Sequence, residues 1–273
     1  MSDLDAEQAR DAVREHYGKV AEADAPGCAP GCCGGGAGAS LRLGYSEDDL
    51  AGVPAGADLG LGCGNPQAIA ALRPGETVVD LGSGAGFDCF LAAKRVGATG
   101  SVIGVDMTPS MVTKARNNAK RAGIEGVDFR LGEIEHLLVA DSSADVILSN
   151  CVINLVPDKR VAFKESFRVL KPGGRLAISD VIAMAPLPDT LQAKVAALTG
   201  CISGASSVDE IRRLLTEVGF SQVRIEANPG SREFIRDWMP GSGCEDFITS
   251  AVIEAIKPRP EEQSCCGPAC CAS

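Results

Sequence analysis

The sequence predicts a doubly wound α/β fold built on a mostly parallel sheet of seven strands. From Thr77 onward, short β-branched runs alternate with helical segments, which is the pattern of βαβ units. A glycine-rich turn follows the first of these runs, at the point where such folds bind ligands. With 45% hydrophobic and 23% charged residues, the 273-residue chain can bury the core that this fold needs.

The individual elements follow from local patterns. Apolar runs predict strands over 77–81, 101–106, 127–131, 144–149, 175–181, 222–227 and 247–256. Segments with helical character predict helices over 87–96, 109–122, 159–170 and 208–218. We expect Lys171-Pro-Gly-Gly174 to end the helix before strand five, because proline and glycine do not continue a helix.

The charge and the cysteine content exclude several classes of protein. The formal net charge is −10, so we expect neither nucleic acid nor a membrane surface as a partner, since both attract clustered Lys and Arg. No apolar run reaches the ~20 residues that span a bilayer, and Met1 to Arg10 are acidic and polar, which favours a cytoplasmic protein. In that reducing compartment, 12 cysteines indicate metal, metalloid or redox chemistry rather than disulfide bonds.

The turn after the first strand has the features of a nucleoside site. Its glycines let the backbone approach a ligand, and the following helix begins with free N–H groups. The second strand ends in Asp106, followed by Met107, and Asp106 is placed to accept hydrogen bonds from a ribose diol. The alternative is an ordinary βα turn with a solvated Asp106. The candidate ligand-binding residues of the turn are Asp80, Gly82, Ser83, Gly84 and Gly86.

Two motifs favour S-adenosylmethionine over a dinucleotide. Asp80-Leu-Gly-Ser-Gly84 resembles the first motif of the class I methyltransferases, in which the leading acid contacts the methionine part of this cofactor. Arg168-Val-Leu-Lys-Pro-Gly-Gly174 also resembles that superfamily. The resemblance places the turn from Gly132 to Glu135, with Glu133 and Ile134, beside the adenine ring, although Glu133 fits a surface position equally well.

Three cysteines indicate the nature of the acceptor. Cys151 directly follows Asn150, a candidate cofactor contact, at the carboxyl end of strand four, where open α/β sheets place their chemistry. Cys201 lies in the insertion after strand five, which we expect to cover the substrate. Cys63 is flanked by glycines, so we expect its sulfur to be accessible. Three thiolates select a soft centre such as Cu(I), zinc or a cluster and, by extension, trivalent arsenic, whose free lone pair is a nucleophile.

Six short motifs are distributed along nearly the whole chain. They are Leu43-Gly-Tyr45, Gly60-Leu-Gly-Cys-Gly-Asn-Pro66, Asp80-Leu-Gly-Ser-Gly-Ala-Gly-Phe-Asp88, Gly104-Val-Asp-Met-Thr-Pro109, Ser149-Asn-Cys-Val-Ile-Asn-Leu155 and Gly200-Cys-Ile-Ser-Gly-Ala205. Together they resemble the arsenite methyltransferase family. The resemblance implies that Cys63, Cys151 and Cys201 bind trivalent arsenic, delivered as a thiol adduct. It also implies that Cys32 or Cys33 forms a disulfide with Cys63 after methylation, which a thiol reductant such as glutathione or thioredoxin reopens.

The predicted organisation has four segments. They are an N-terminal helix and cysteine-bearing segment (1–72), a Rossmann-like core that binds S-adenosylmethionine (73–185), a substrate-covering insertion with the last strands (186–257) and a disordered cysteine-rich tail (258–273). Outside the three candidate cysteines, Cys89 is expected to be a buried core residue. Cys244 has exposed-looking, glycine-flanked surroundings, and its role is left open.

Two other functions fit parts of the pattern. The cofactor turn and Asp106 serve equally well in a methyltransferase for a carbon or oxygen acceptor, such as a quinone or a sterol. The second alternative is a thiolate protein that binds or senses metalloids on a methyltransferase scaffold. Serine replacements of the three cysteines test the first alternative, and formation of methylated product tests the second.

Overall fold

The computed structural model describes residues 5–23, 38–192, 199 and 201–260. Cys32, Cys33 and the cysteines of the predicted tail lie outside the described residues. The α-helices in the described ranges are α1 (Ala6–Glu22), α2 (Ala39–Arg42), α3 (Glu47–Ala51), α4 (Pro66–Ala70), α5 (Phe87–Val96), α6 (Pro109–Ala122), α7 (Lys159–Val169), α8 (Asp189–Gln192), α9 (Val208–Val218) and α10 (Arg232–Ile235). The strands there are β1 (Thr77–Leu81), β2 (Ser101–Asp106), β3 (Val127–Leu131), β4 (Ala144–Asn150), β5 (Leu170–Ala183), β6 (Ser206–Ser207), β7 (Ser221–Asn228) and β8 (Ile248–Ile256).

Helix ends follow from local capping signals. At the start of α1, the Asp5 carboxylate accepts a hydrogen bond from the Gln8 N–H at 2.9 Å, and the Gln8 side chain accepts one from the Asp5 N–H at 3.0 Å. Helix α6 begins at Pro109 and ends before Gly123, whose φ is 64°. Helix α9 ends in the same way at Gly219, with a φ of 115°. None of the helices in the described part of the chain is both long and apolar enough to cross a membrane.

The strands form one sheet in the order β3-β2-β1-β4-β5-β8-β7, and the two-residue β6 pairs with β5. Strands β1 to β5 pair in parallel, whereas β8 runs antiparallel to β5 and β7. The chain moves outward from β1 to β3 and then returns to β4 on the other side of β1. This topological switch point opens a crevice at the carboxyl ends of β1 and β4. The predicted doubly wound, mostly parallel fold is confirmed, with β6 as a short addition.

Helices cover the sheet on both faces. In β1, Val78 and Val79 are fully buried, and they belong to core clusters on opposite faces of the sheet. One cluster contains Phe163 of α7 and Leu215 of α9, and the other contains Phe90 of α5. A strand buried on both sides needs apolar residues at successive positions, which explains the continuous apolar runs in the sequence.

The predicted start of strand five was wrong. We expected Lys171-Pro-Gly-Gly174 to separate a helix from strand five, but β5 begins at Leu170, which pairs with Ala144 of β4. The pairing register shifts directly after this pair, so the proline and the glycines form a bulge inside the strand. Gly173 has a φ of 84°, and its N–H donates to the Lys257 carbonyl at 2.7 Å. These residues therefore interrupt the register of the strand and not the strand itself.

Candidate active site

A cavity opens at the carboxyl ends of β1 and β4, at the switch point of the sheet. It contains about 1140 Å³ of space outside the protein atoms, its open mouth included. Val13 and Tyr17 of α1 contribute to its wall. Of the predicted cofactor residues, Gly86 and Glu133 do not line the cavity. Those that line it are Asp80, Gly82, Ser83, Gly84, Asp106, Met107, Ile134 and Asn150.

Glycines determine the shape of the turn after β1. Gly82 has a φ of 69°, and a Cβ atom on it would lie 2.3 Å from a methyl carbon of Val152. Gly86 has a φ of 95°, and a Cβ atom there would press against two phenylalanine rings. Gly84 has a φ of 51°, but no atom lies within 4 Å of its Cβ position. The outer glycines therefore permit close packing, whereas Gly84 leaves open space.

Two buried carboxylates flank this turn. Asp106 accepts hydrogen bonds from the Gly84 N–H at 2.9 Å and from the Thr108 N–H at 2.8 Å. Asp80 accepts one from the Cys89 thiol at 3.2 Å. Burial raises the pKa of both carboxyls, and a neighbouring carboxylate raises the pKa of Asp80 further. Cys89 is thus a buried core residue, as expected, and it also orients the Asp80 carboxylate.

Ser83 offers an unused polar group beside the cavity. Its hydroxyl is buried and has no hydrogen-bond partner among the residues that the structure describes. Because an unpartnered buried polar group is unfavourable, a ligand that supplies a hydrogen bond here is favoured. Together with Asp80, Asp106 and the open space at Gly84, this arrangement suits a nucleoside with a polar extension.

The turn after β3 closes one side of the cavity together with α1. Ile134 lines the cavity, and the buried Glu135 accepts a hydrogen bond from Arg10 of α1 at 3.0 Å. Glu133 instead forms ion pairs with Arg14 at 2.6 Å and with Arg10 at 3.4 Å. The carboxylate at the cavity wall is therefore that of Glu135, and Glu133 ties the turn to α1.

A second group of side chains meets beside the cavity. The sulfur atoms of Cys63 and Cys151 and a carboxylate oxygen of Asp180 all lie within 4.8 Å of one another. Cys63 precedes α4, Cys151 follows β4 and Asp180 belongs to β5. All three residues are buried. The fold thus brings together two of the three candidate sulfurs and adds a carboxylate.

Cys201 lies next to this group without belonging to it. Its buried thiol donates to the Cys151 carbonyl at 2.8 Å. Cys151 and Cys201 have φ angles of 61° and 60°, a left-handed conformation that costs about 1–3 kcal/mol outside glycine. Strain of this kind persists where packing enforces it, often at functional sites. All three predicted cysteines are therefore gathered in one region, with the Cys201 sulfur turned toward the backbone.

The expectation that the Cys63 sulfur is accessible was wrong. Cys63 is only 1% exposed, because it packs in a buried cluster that includes Leu155 and Trp238. Burial raises the pKa of the Cys63 thiol well above its ordinary value, and the neighbouring Cys151 and Asp180 raise it further. The thiol is therefore protonated near neutral pH, and a thiophilic ligand has to displace its proton.

Asn150 connects the two halves of the site. Its amide oxygen accepts a hydrogen bond from the Cys63 N–H at 3.1 Å, and its amide nitrogen donates to the Gly64 carbonyl at 2.9 Å. The same nitrogen donates to the Tyr45 hydroxyl at 3.0 Å, and this hydroxyl donates to the Asp88 carboxylate at 2.9 Å. Asn150, predicted as a cofactor contact, thus lines the cavity and also fixes the loop that carries Cys63.

Comparison with known proteins identifies the family. A family model described as a methyltransferase domain matches residues 72–219. The arsenite methyltransferase of Halobacterium salinarum is 52% identical to this chain over 269 residues, which cover 94% of the chain and 69% of that protein. The chain belongs to the arsenite methyltransferase family. It is an S-adenosylmethionine-dependent methyltransferase with the class I fold.

Further comparisons agree with the assignment of the chain to this family. The arsenite methyltransferase of Aquipseudomonas alcaligenes is 44% identical over 171 residues, which cover 60% of this chain and 49% of that protein, so the match spans about half of the relative. The crystal structure of an arsenic(III) S-adenosylmethionine methyltransferase from Chlamydomonas reinhardtii is 33% identical with a TM-score of 0.61, covering 81% of this chain and 74% of that one. A phosphoethanolamine N-methyltransferase from Haemonchus contortus, at 17% identity and a TM-score of 0.60, shares the fold.

Sequence reasoning about the methyltransferase missed several buried polar residues. Asp180 gave a local signal, because a carboxylate within an apolar strand is rarely buried unless it has a partner. The turn that ends at Glu135 was predicted, but the contact of Glu135 with Arg10 gave no local signal, since it depends on how α1 docks. Cys244, whose surroundings looked exposed in the sequence, is buried, and its thiol contacts the Ile235 carbonyl at 3.7 Å.

Proposed function

We propose that this methyltransferase transfers methyl groups from S-adenosylmethionine to trivalent arsenic, which Cys63, Cys151 and Cys201 hold as thiolates. The observation that carries the proposal is the meeting of sulfurs from distant parts of the chain: those of Cys63 and Cys151 lie within 4.8 Å of each other, and the Cys201 thiol contacts the Cys151 carbonyl. Cys151 also lines the cofactor cavity. An arsenic atom on these sulfurs therefore lies at the boundary between the sulfur group and the cavity.

The residues of the cavity fit S-adenosylmethionine. When bound, this cofactor supplies an electrophilic methyl group on a positively charged sulfur. The unpartnered Ser83 hydroxyl and the open space at Gly84 support its placement along the turn after β1. In this proposal Gly86 acts through the packing of the turn, and Glu133 through its ion pairs with α1. The residues proposed to hold the cofactor are Asp80, Gly82, Ser83, Gly84, Gly86, Asp106, Met107, Glu133, Ile134 and Asn150.

The protein acts mainly by binding and orienting the arsenic. Trivalent arsenic on three thiolates keeps a lone pair, so the nucleophile has no proton to lose and no general base is needed. Burial of the three cysteines excludes water from the nucleophile. Correct positioning of the two reactants can contribute ~7 to 11 kcal/mol to lowering the barrier. For a third sulfur bond, the Cys201 thiol has to leave the Cys151 carbonyl.

We also propose that the segment 186–257 covers the substrate. Trp238 from this segment packs in the same buried cluster as Cys63. Helix α1 adds to the cover, since the Tyr17 hydroxyl donates to the Thr199 carbonyl at 3.0 Å. These contacts support a closed pocket that arsenic enters as a thiol adduct.

A thiol reductant completes the proposed cycle. Among the described residues, Cys63, Cys89 and Cys244 are free thiols, which fits the reducing, cytoplasmic location that we propose. In the proposal, methyl transfer leaves arsenic formally pentavalent; Cys32 or Cys33 then attacks the arsenic-bound sulfur of Cys63, so that the As–S bond breaks, a disulfide forms and arsenic returns to the trivalent state. Glutathione or thioredoxin reopens this disulfide. We expect product formation to stop after a few turnovers without reductant, as measured by the ratio of methylated arsenic to enzyme. Steady turnover without any thiol would contradict this cycle.

Mass spectrometry of a reaction with arsenite, S-adenosylmethionine and glutathione tests the function. We expect serine replacements of Cys63, Cys151 and Cys201 each to lower the rate of methylation about 100-fold or more, because loss of a ligand misplaces the nucleophile. Cys244→Ser is the matched control, a buried cysteine outside the group, and we expect it to retain most of the activity. Full arsenite methylation by all the variants would contradict the assignment of these cysteines, and a parent chain that neither binds nor methylates arsenite would indicate a carbon or oxygen acceptor. Stoichiometric arsenite binding without a methylated product would indicate a binding protein.

A further inference from the structure

The buried group of two cysteines and one aspartate differs from the set of three cysteines proposed to bind arsenic. Cys63, Cys151 and Asp180 bring two sulfurs and one oxygen within 4.8 Å of one another, and all three residues are buried. The Cys201 sulfur is instead engaged with the Cys151 carbonyl at 2.8 Å. The structure therefore arranges two sulfurs and one oxygen as a mixed group of ligand atoms.

Hydrogen bonds fix the position of the Asp180 carboxylate and leave one of its oxygens able to bind a cation. One of its oxygens accepts hydrogen bonds from the Asn154 amide at 2.9 Å and from the Val181 N–H at 2.8 Å. The other oxygen accepts one from the Ile153 N–H at 2.8 Å and, among the described residues, has no second donor. A carboxylate that has given up its proton to bind a cation has about four acceptor positions, so the second oxygen then offers a lone pair. The carboxylate is thus a preorganised ligand.

Donor type distinguishes the cations that suit this group. Zinc binds cysteine sulfur and carboxylate oxygen together, in tetrahedral sites of three or four protein ligands. Trivalent arsenic on three sulfurs needs Cys201 in place of Asp180. The charges also favour a dication, since two thiolates and a carboxylate with Zn²⁺ leave a single negative charge. Lys159, which interacts electrostatically with Asp180, partly offsets that charge.

We propose that Cys63, Cys151 and Asp180 form a binding site for a thiophilic divalent cation such as Zn²⁺. If arsenic binds as proposed above, on which this consequence rests, the dication competes with it for Cys63 and Cys151. The two ligands then differ in their third contact, which is Asp180 for the dication and Cys201 for arsenic. A bound dication blocks arsenite loading.

The test uses the whole 273-residue chain with a simplified cysteine content. The seven cysteines outside the described residues are replaced by serine, so that they do not bind the probe: Cys28, Cys32, Cys33, Cys265, Cys266, Cys270 and Cys271. Co²⁺ is titrated as a spectroscopic probe that absorbs when thiolates bind it, and Zn²⁺ is then added to displace it. Arsenite binding is measured on the same proteins by the fluorescence of Trp238, the single tryptophan, which lies in the same buried cluster.

We expect one cation per chain and opposite effects of two substitutions. Asp180→Asn is expected to weaken Zn²⁺ binding about tenfold or more and to change arsenite binding little. Cys201→Ser is expected to weaken arsenite binding and to change Zn²⁺ binding little. Cys244→Ser is expected to leave both affinities unchanged. Thermal unfolding of each variant verifies its fold. If Asp180→Asn does not fold, the cobalt spectrum of Cys201→Ser decides, because it should keep the full thiolate absorption whereas Cys63→Ser loses part of it.

Either of two results overturns the proposed cation site. One is the absence of a cobalt–thiolate band at one equivalent. The other is a Cys201→Ser variant that loses thiolate absorption as Cys63→Ser does, because the cation would then use the three sulfurs. Failure of the arsenic assignment looks different, since the parent chain would bind Zn²⁺ but not arsenite.

Discussion

The cofactor half and the sulfur half of the site are built by different means. The cofactor half is centred on the turn of one βαβ unit, where the glycines shape the backbone and the Gly84 N–H donates to the Asp106 carboxylate. The sulfur half is made of side chains from the loop before α4, the end of β4, β5 and the insertion. A backbone cradle depends on local sequence, whereas a side-chain cluster depends on how distant segments pack. The first half is therefore fixed by the fold, and the second can adapt to its ligand.

The largest effect is expected for a change in the backbone cradle. In Gly82→Ala the new methyl group would meet Val152 at 2.3 Å, and overpacking plus the positive φ cost about 3 kcal/mol of unfolding free energy. Gly84→Ala is the matched change and costs only about 1 kcal/mol, because its Cβ position is open. Thermal and chemical unfolding measure both variants.

The same pair separates packing from ligand contact. Val152→Ala in the Gly82→Ala background is expected to restore part of the lost stability. Gly84→Ala is expected to weaken S-adenosylmethionine binding in calorimetry more than its small stability loss explains, because its methyl group enters the space left for the ligand. Equal stability losses in Gly82→Ala and Gly84→Ala would contradict the claim that tight packing at Gly82 fixes the shape of this turn.

Asn150→Ala tests the connection between the halves. The change leaves the Cys63 N–H and the Gly64 carbonyl without their partner, which costs about 2 kcal/mol. We expect arsenite uptake to slow about tenfold, because the Cys63 loop loses its anchor. Asn118→Ala is the control, since its buried amide bridges the carbonyls of Gly56 and Ala85 on the cofactor side. If both variants slow uptake equally, the effect is general destabilisation.

The sulfur half is also expected to respond to pH. Burial, Cys151 and Asp180 raise the pKa of the Cys63 thiol, so below that pKa the thiolate fraction grows about tenfold per pH unit. Because the thiolate is the nucleophile, the rate of arsenite uptake is expected to rise with pH from about 6 to about 8. Stopped-flow fluorescence of Trp238 measures the rate. Cys244→Ser is the control and is expected to show the same dependence of the rate on pH. A flat profile would contradict thiolate attack as the uptake step.

The smallest effect is expected at Glu133. Its ion pair with Arg14 is partly exposed, so Glu133→Gln is expected to change cofactor binding by about 1 kcal/mol or less. Glu135→Gln, at the buried cavity wall, is expected to weaken binding more. Calorimetric titration with S-adenosylmethionine compares the two. A larger loss in Glu133→Gln would place Glu133 in direct contact with the cofactor.

Local sequence predicted the elements of the cofactor half to the residue. Strands β1, β2 and β3 and helices α5 and α6 have the predicted bounds, since their signals lie within the elements themselves. The bulge at the start of β5 was not predictable in this way. Lys171-Pro-Gly-Gly174 has the composition of a loop, and only the pairing of Leu170 with Ala144 makes it part of a strand.

Prediction of the sulfur half was less complete for a physical reason. The strand-end position of Cys151 and the resemblance of the motifs indicated which cysteines matter. The burial of Cys63 and the presence of Asp180 depend on packing between distant segments, which neither glycine flanks nor strand patterns report. The cover formed by α1 is of the same kind, because it rests on single contacts such as that of Arg10 with Glu135.

X-ray absorption at the arsenic edge tests the central claim most directly. The sample is the whole 273-residue chain with one equivalent of arsenite, and the measured quantity is the number of sulfur neighbours of arsenic. We expect three sulfurs in the parent chain, two after Cys201→Ser and three after Cys244→Ser. A first shell dominated by oxygen, or a sulfur count that does not change in Cys63→Ser, Cys151→Ser and Cys201→Ser, would contradict the account.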